Sequence, residues 1–290
     1  MLLTEAMDRF QVQLEADGRS EHTRNQYRRH LRVLAAWLAT GRETPADVDI
    51  VTPEAVARFL AATAARLCAN GQAKKATTAN ALRTSVRVFC SYLHRAGFLP
   101  QDPGRLIRRA FTCGGPPKAL SVNESERLLA TLEAAGAESE RDYLLFHLLL
   151  ATGIRLSAAL GLRSEDVDLA AQDIQVRTKG DRQERILLAP KIREHMEAYL
   201  VSRPTGYLFP GHGEAPMTRR HAHRLLRGWL KRAGIDRALS PHSLRHTFAT
   251  GLYAKTHDIA LVQAALSHRS IASTLVYAKT NRDQLRAALA

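Results

Sequence analysis

The sequence predicts a mainly α-helical protein: an N-terminal helical bundle followed by a mostly helical α+β domain with a small antiparallel β-sheet or hairpin. Three observations predict this fold class. Apolar residues recur at i, i+3 and i+4 through most of the chain, which is typical of amphipathic helices. Between Asp173 and Ala189, two strand-like runs flank a polar stretch with a glycine, as in a hairpin. A glycine- and proline-rich run at residues 113–118 divides the chain.

The length of the chain fits this division, because 290 residues correspond to two domains at roughly 100 to 200 residues each. We expect a helical domain over residues 1–112, a linker over 113–118 and a second domain over 119–290. Turns that contain glycine separate the helices of the first domain. The expected helices there are Met1 to Ala16, Glu21 to Ala39, Pro53 to Leu67 and Ala76 to Ala96.

The second of these helices has two different faces. Tyr27, Leu31, Leu34 and Leu38 form its apolar side. Four arginines lie on the other side at near-helical spacing, and two interpretations of them stay open: contacts with a DNA backbone, or an ordinary solvated face. These residues are Arg24, Arg28, Arg29 and Arg32.

The second domain begins with Ser121 and Glu124, whose spacing is that of a helix capping box. Alternating apolar and polar residues then indicate two strands, and apolar residues at helical spacing follow them. The expected elements are a helix from Arg141 to Thr152, strands from Asp173 to Arg177 and from Glu184 to Ala189, and helices from Lys191 onward.

The charge of the chain indicates a polyanionic partner. Lysine and arginine outnumber aspartate and glutamate by 42 to 28, which gives a net charge of +14. Arginine predominates among the basic residues, and its guanidinium group matches phosphate oxygens in bidentate geometry. Nucleic acid is therefore the leading candidate, and a merely solvated basic surface is the alternative.

Other features limit the class of protein. No run approaches the roughly 20 apolar residues of a membrane helix, and the N-terminus lacks a secretory pattern, so we expect a cytoplasmic protein with no membrane partner. Cys68, Cys90 and Cys113 are widely spaced and odd in number, which fits neither a disulfide framework nor a zinc site. We expect inert thiols.

Several basic residues of the second domain lie where a structural role alone would not require them. Arg155 follows Gly153 at the expected start of a helix, where an anion is favoured, although an ion pair with a carboxylate is the alternative. His242 and Arg245 share one helical face and can address one phosphate. His242 and His246 also have the spacing of zinc ligands, but no carboxylate completes such a site, and we expect no metal.

Three further residues complete the candidate set. Lys179 lies at the expected tip of the hairpin, from which its ammonium group can reach a bound ligand. His268 precedes Tyr277 by nine residues. Taken alone, a tyrosine on an amphipathic helix is more often part of a core than a nucleophile.

The order of these residues carries more information than any one of them. In chain order they are Arg155, Lys179, His242, Arg245, His268 and Tyr277. This order resembles that of the tyrosine recombinases, the phage-integrase and Xer-type site-specific DNA recombinases, and the resemblance covers nearly the whole chain. It implies a SAM-like core-binding domain, a linker and a catalytic domain. It also implies an enzyme that cuts and rejoins double-stranded DNA through a 3′-phosphotyrosyl intermediate and Holliday-junction strand exchange, in integration, excision or dimer resolution.

The resemblance implies a role for each residue at the phosphate. Tyr277 matches the nucleophile, Arg155 and Arg245 match the arginines that hold the non-bridging oxygens, and His268 adds a hydrogen bond. Fixed guanidinium groups can stabilise the charge of an in-line displacement, so no metal or other cofactor is required.

Two residues are expected to move protons. His242 matches the residue that assists proton transfer, and Lys179 matches a general acid for the leaving 5′ oxygen. A phenol with a pKa near 10 needs such basic neighbours to act as a nucleophile at neutral pH.

The chain departs from the family pattern at two positions. Ala158 stands where the family often has an acidic residue, and Ser267 stands where it usually has glycine. The missing carboxylate is expected to affect residues that support the active site and to lower the rate, but every expected catalytic residue is present.

The resemblance implies a nucleoid-associated tetramer on two DNA sites, with a partner recombinase or accessory protein as a further possibility. The tail over residues 281–290 is expected to be a short helix that docks either on a neighbouring protomer or on its own domain. Three alternatives stay open: a type IB topoisomerase-like enzyme, a catalytically weak DNA-binding accessory protein, and a metal-dependent nuclease.

Overall fold

The computed structural model describes residues 1–41, 43, 45–111, 118–178, 182–266 and 274. The chain divides into two compact units, Met1–Gly114 and Gly115–Ala290. Most of the described residues are helical, and the second unit contains a small antiparallel sheet. The predicted fold class is therefore confirmed. Within the described residues, no helix combines the length and apolarity needed to cross a membrane.

The first unit is helical. Its elements are α1 (Leu3–Ala16), α2 (Glu21–Ala39), α3 (Pro53–Ala61), α4 (Thr63–Arg66) and α5 (Ala76–Arg95), with a 3₁₀ turn at Val48–Ile50. Caps explain two of the helix starts. The Ser20 hydroxyl accepts from the Thr23 amide before α2, and the Thr52 hydroxyl accepts from the Ala55 amide before α3.

The single helix expected from Pro53 to Leu67 is wrong, because it is two helices. Ala62 has an extended backbone, with φ −70° and ψ 158°, which ends α3 and precedes α4. Alanines on both sides of the break continue the apolar pattern, and no glycine or proline marks it. The apolar periodicity of the sequence therefore continues through Ala62, although the helical backbone is interrupted there.

Aromatic rings organise the core of the first unit. The Phe10 ring lies 5.7, 5.4 and 5.1 Å between centroids from the rings of Tyr27, Phe89 and Tyr92. Cys90 is buried in the same core, and its burial raises the pKa of the thiol to about 12. Cys68 is exposed, and Cys113 lies outside the described residues.

The second unit combines helices with a three-stranded antiparallel sheet. Its elements are α6 (Val122–Ala134), α7 (Glu140–Thr152), α8 (Leu156–Ala159), β1 (Val167–Asp168), β2 (Asp173–Thr178), β3 (Arg182–Leu187), α9 (Pro190–Ser202), α10 (Arg219–Arg232), α11 (Pro241–Thr256) and α12 (Ile259–Ala265), with 3₁₀ turns at Gly136–Glu138 and Ser164–Asp166. The strand order is β1-β2-β3, and Asp173 pairs with Leu187. β1 was not predicted, because two residues are too few to show an alternation.

The start of the second unit is tied to later parts of the chain. The capping box of Ser121 and Glu124 is present, with both reciprocal hydrogen bonds. Arg237 donates to the Glu124 carboxylate and to the Ala119 carbonyl. The Leu120 amide donates to Oγ1 of Thr247 over 2.8 Å, and this hydroxyl donates to a carbonyl within α11.

Helix α7 is the central element of this unit. It is buried on most of its surface and packs against α6, α9 and α11. One buried carboxylate lies on it: Asp142 accepts from Nε1 of Trp229 at 2.9 Å and from the Arg141 guanidinium. A helix that is buried on most sides is apolar around most of its circumference, so it shows a continuous apolar run and not an amphipathic pattern. The sequence of α7 has such a run.

Gly153 ends α7 and fixes its approach to α11. Its backbone is left-handed, with φ +63°, which glycine adopts without strain. A Cβ atom at this position would lie 2.3 Å from Cδ1 of Phe248 on α11. The missing side chain therefore allows the Phe248 ring to close over the end of α7.

Replacing Gly153 by alanine should lower the free energy of unfolding of the second unit by about 2 to 4 kcal/mol, because a left-handed alanine is strained and its methyl group overlaps Phe248. The control is Gly251→Ala on α11, where an added Cβ meets no atom within 4 Å. This change should raise stability by about 0.5 to 1 kcal/mol. Denaturant unfolding followed through Trp229 in a Trp37→Phe background measures both. Equal effects of the two substitutions would contradict the packing described for Gly153.

Candidate active site

Arg245 joins the segments that carry the predicted site residues. Its side chain is buried, with 4% of its surface exposed. Nη1 donates to the Gly153 carbonyl and Nη2 to the Leu266 carbonyl, each over 2.6 Å. Gly153 is two residues before Arg155, and Leu266 is two residues before His268. One guanidinium group thus holds together the chain segments that lead to both.

The local sequence explains how α11 presents this group. Pro241 occupies the first helical position, and the Ser240 amide donates to Oγ of Ser243 over 3.1 Å. His242 therefore lies in the first turn, and Arg245 follows it by three residues on the same side of the helix. His242 is exposed, whereas Arg245 is buried.

The pKa of His242 is influenced by both arginines. Partial desolvation lowers the pKa of its imidazole below the ordinary value, and the charges of Arg245 and then Arg155 lower it further. Its neutral form is therefore favoured at neutral pH, and a neutral imidazole can accept a proton. That Arg155, His242 and Arg245 form one site stays a prediction from the sequence.

Arg155 has a different setting from the one expected. It is the N-cap residue of α8, where its side chain makes no capping hydrogen bond, and the side chain is exposed. Because α8 is only four residues long, a helix dipole adds little there, and the guanidinium group itself is what can bind an anion. Ala158, on the same turn, lines a cavity of about 220 Å³ together with Arg163 and Tyr207.

Three predicted site residues lie outside the described residues: Lys179, His268 and Tyr277, as do Ser267 and the tail at 281–290. Lys179 comes between β2 and β3 in the sequence, and its reach to a bound ligand stays a prediction. His268 and Tyr277 follow α12 in the chain.

The four arginines of α2 do not form a uniform face. Arg24 is partly buried and makes an ion pair with Glu15 of α1, at 2.6 Å. Arg28 is exposed and donates to Oδ1 of Asn25, and Arg29 and Arg32 are exposed as well. The three outer residues remain available as a basic face, whereas the charge of Arg24 is compensated within the unit.

A second basic face, on α10, was missed by the sequence reasoning. Helix α10 contains six lysine or arginine residues, two histidines and no carboxylate. Its buried side consists of Ala222, Leu226, Trp229 and Leu230, so the charges lie on the outer side. The exposed basic residues are Arg219, Arg220, His223, Arg224, Arg227, Lys231 and Arg232. A basic segment of 14 residues without any acid is a readable signal of a polyanion-binding helix.

The histidine pair of α11 is packed ring against ring. The His242 and His246 centroids are 4.4 Å apart, and the ring planes meet at 73°. In the part of the chain that the structure describes, no three His, Cys, Asp or Glu side chains form a group that could hold a metal ion.

Comparison with known proteins extends these observations to the whole chain. The profile described as "Phage integrase family" matches residues 118–284, and "Phage integrase, N-terminal SAM-like domain" matches residues 7–97. The chain is 31% identical to a tyrosine recombinase XerC of Neisseria meningitidis serogroup C, over 96% of this chain and 92% of that protein. It is 28% identical to a tyrosine recombinase XerD of Listeria innocua serovar 6a, over 93% and 91%.

A solved structure is similar in fold. The Tn1549 transposon integrase in complex with transposon right end DNA matches with a TM-score of 0.76, over 100% of this chain and 98% of that one, at 19% identity. The similarity therefore spans both units.

The two arginines of the site should differ in their effect on stability. Arg245→Ala should lower the free energy of unfolding of the second unit by about 2 to 4 kcal/mol, because two carbonyls lose their donor. Arg155→Ala should change it by no more than about 0.5 kcal/mol, because that side chain is exposed. Denaturant unfolding monitored by the fluorescence of Trp229 checks this contrast. Equal losses would show that Arg245 does not bridge the two segments.

Proposed function

This chain belongs to the phage integrase family and is a site-specific tyrosine recombinase, and we propose that it cleaves DNA by attack of Tyr277 on a scissile phosphate held by Arg155 and Arg245. The observation that carries the proposal is the pair of hydrogen bonds from Arg245 to Gly153 and Leu266. They support one active site, because they draw the segments that contain Arg155 and His268 to the same buried cation.

In the proposed reaction, the phenolic oxygen of Tyr277 forms a bond to phosphorus while the bond from phosphorus to the 5′ oxygen breaks. The phenol loses its proton to a base, and the 5′ oxygen gains one from an acid, so the products are a 3′-phosphotyrosyl link and a 5′-hydroxyl. The reverse attack by the 5′-hydroxyl of another strand rejoins the DNA. No external energy source is needed, because the phosphotyrosyl link conserves the energy of the phosphodiester bond that was broken.

The cations act on the charge of the phosphate. Arg155 and Arg245 bind the non-bridging oxygens, and His268 adds a hydrogen bond. A guanidinium group that the fold already holds needs no reorganisation as charge develops, which is the efficient form of electrostatic stabilisation. Arg245 is fixed in this way by two backbone carbonyls.

Two side chains move the protons. His242 is neutral at neutral pH, because desolvation and the charges of Arg245 and Arg155 lower its pKa, and it assists removal of the Tyr277 proton. Lys179 acts as the general acid for the 5′ oxygen, from its place between β2 and β3. Ala158 stands where the family often has an acidic residue, but all six residues with proposed catalytic roles are present in the sequence.

Both units contribute to DNA binding in this proposal. The outer face of α10 and the exposed Arg28, Arg29 and Arg32 of α2 lie along phosphate groups of the duplex. The similar Tn1549 integrase forms a complex with transposon DNA, which supports this assignment. The proposed reaction uses four copies on two DNA sites.

The alternatives of a type IB topoisomerase-like enzyme and of an inactive accessory protein are not favoured. The curated relatives that match over more than nine-tenths of this chain are tyrosine recombinases. A metal-dependent nuclease would require a divalent ion, whereas the guanidinium groups supply positive charge without one.

Covalent capture tests the nucleophile. Duplexes that the full-length protein binds are first selected from a random-sequence pool, then nicked and incubated with the protein in chelator. We expect a denaturant-resistant adduct at the DNA 3′ end, and we expect Tyr277→Phe to abolish it while retaining DNA binding. An adduct that persists in Tyr277→Phe would refute the assignment of Tyr277.

A matched control separates chemistry from folding in this experiment. Tyr207→Phe removes a phenol of the same unit that stacks with Arg163 and has no proposed role in cleavage, so it should leave the adduct in place. Cleavage that requires a divalent ion would instead favour the nuclease alternative.

The basic face of α10 should contribute to affinity through phosphate contacts. Arg220→Gln, Arg224→Gln and Arg227→Gln together should reduce the slope of log K against log salt by about 2 to 3, because each phosphate contact contributes about 0.9. Arg127→Gln, an exposed arginine on α6, is the control and should leave the slope unchanged. Fluorescence anisotropy with a labelled duplex measures both, and an unchanged slope in the triple variant would exclude α10 from the interface.

A further inference from the structure

We propose that His246 is a positioning residue for DNA cleavage, whose ring holds the imidazole of His242 in place beside Arg245. The inference rests on the proposed role of His242 in proton transfer. Its basis is the edge-to-face contact between the two rings, with centroids 4.4 Å apart and planes at 73°.

The geometry of α11 makes His246 a support for His242. The two residues are four positions apart and therefore lie one above the other on the helix. His242 is exposed, whereas His246 is half-buried against the body of the unit, which restricts the rotamers of the inner ring more than those of the outer one. The inner, restrained ring can thus limit the orientations of the outer one.

The charge state of His246 suits this task. Burial lowers the pKa of its imidazole to about 4, and the neighbouring His242 and Arg245 lower it in the same direction. The ring is consequently neutral at neutral pH. A neutral aromatic ring can pack edge to face against His242 without adding a positive charge beside Arg245 and Arg155.

The consequence for catalysis concerns rate and not affinity. Proton transfer requires the acceptor within hydrogen-bond distance of the proton, and a displacement of about 1 Å can reduce a rate about 100-fold. Losing the His246 ring removes the restraint on His242 without removing a contact to DNA. We therefore expect slower cleavage by bound enzyme and unchanged binding.

The test is a double-mutant cycle on the full chain with His242→Ala, His246→Ala and the double variant, scored by the single-turnover rate of adduct formation at saturating DNA. His246→Ala should slow the rate by roughly 10- to 100-fold with unchanged affinity. In the His242→Ala background, the same change should alter the rate by less than about twofold, because the residue that it positions is gone.

Two conservative variants identify the property that matters. His246→Phe keeps a ring and should restore the rate to within about threefold of the native value, whereas His246→Asn keeps a polar group without a ring and should remain slow. Tyr253→Ala, which removes another partly buried ring from α11, is the control for stability and should leave the rate of the folded protein unchanged.

The outcomes separate the inference from the function on which it rests. If His242→Ala leaves the rate unchanged, the proposed role of His242 fails. If His242→Ala is slow but His246→Ala slows both backgrounds by the same factor, His246 does not act through His242, and the inference is overturned while the proposed function stands. A fast His246→Asn together with a slow His246→Phe would also overturn it.

Discussion

The buried guanidinium of Arg245 is the interaction on which the arrangement of the active site depends. Transferring a cation from water into a protein is unfavourable unless its hydrogen bonds are replaced. Here, the carbonyls of Gly153 and Leu266 accept two of its N–H groups. Both carbonyls terminate helical segments, so the same bonds satisfy backbone groups and align chain segments that are far apart in sequence. The side chain that holds these segments together is thus the one that we propose for the phosphate site.

Much of the fold could be predicted from the sequence, because the helices are amphipathic and several have clear caps, such as Ser121 with Glu124. The break at Ala62 could not, since alanines carry the apolar pattern through it. The site was predicted as a set of residue types in order. Their different burial was not, because the burial of Arg245 depends on carbonyl groups 92 and 21 residues away in the chain.

The basic helices α2 and α10 show that the spacing of arginines can mispredict a positive surface, whereas the local composition predicts it. Regular spacing on α2 placed four arginines on one face, but Glu15 of the preceding helix pairs with Arg24, and helical spacing alone carries no information about such a partner. On α10, the absence of any carboxylate makes the outer face positive whatever its neighbours do on the buried side. A positively charged surface is therefore better predicted from the local balance of charge than from the periodicity of arginines.

The tie between Leu120 and Thr247 has a mechanical consequence. Leu120 lies just after the linker, and its amide hydrogen bond ends on a side chain of α11. Thr247 is two residues from Arg245 and less than two turns from His242. The hydrogen bond thus couples the first residues of the second unit to the helix that carries His242 and Arg245. A displacement of the backbone at Leu120 therefore acts on α11 through a polar contact as well as through the buried Leu120 side chain.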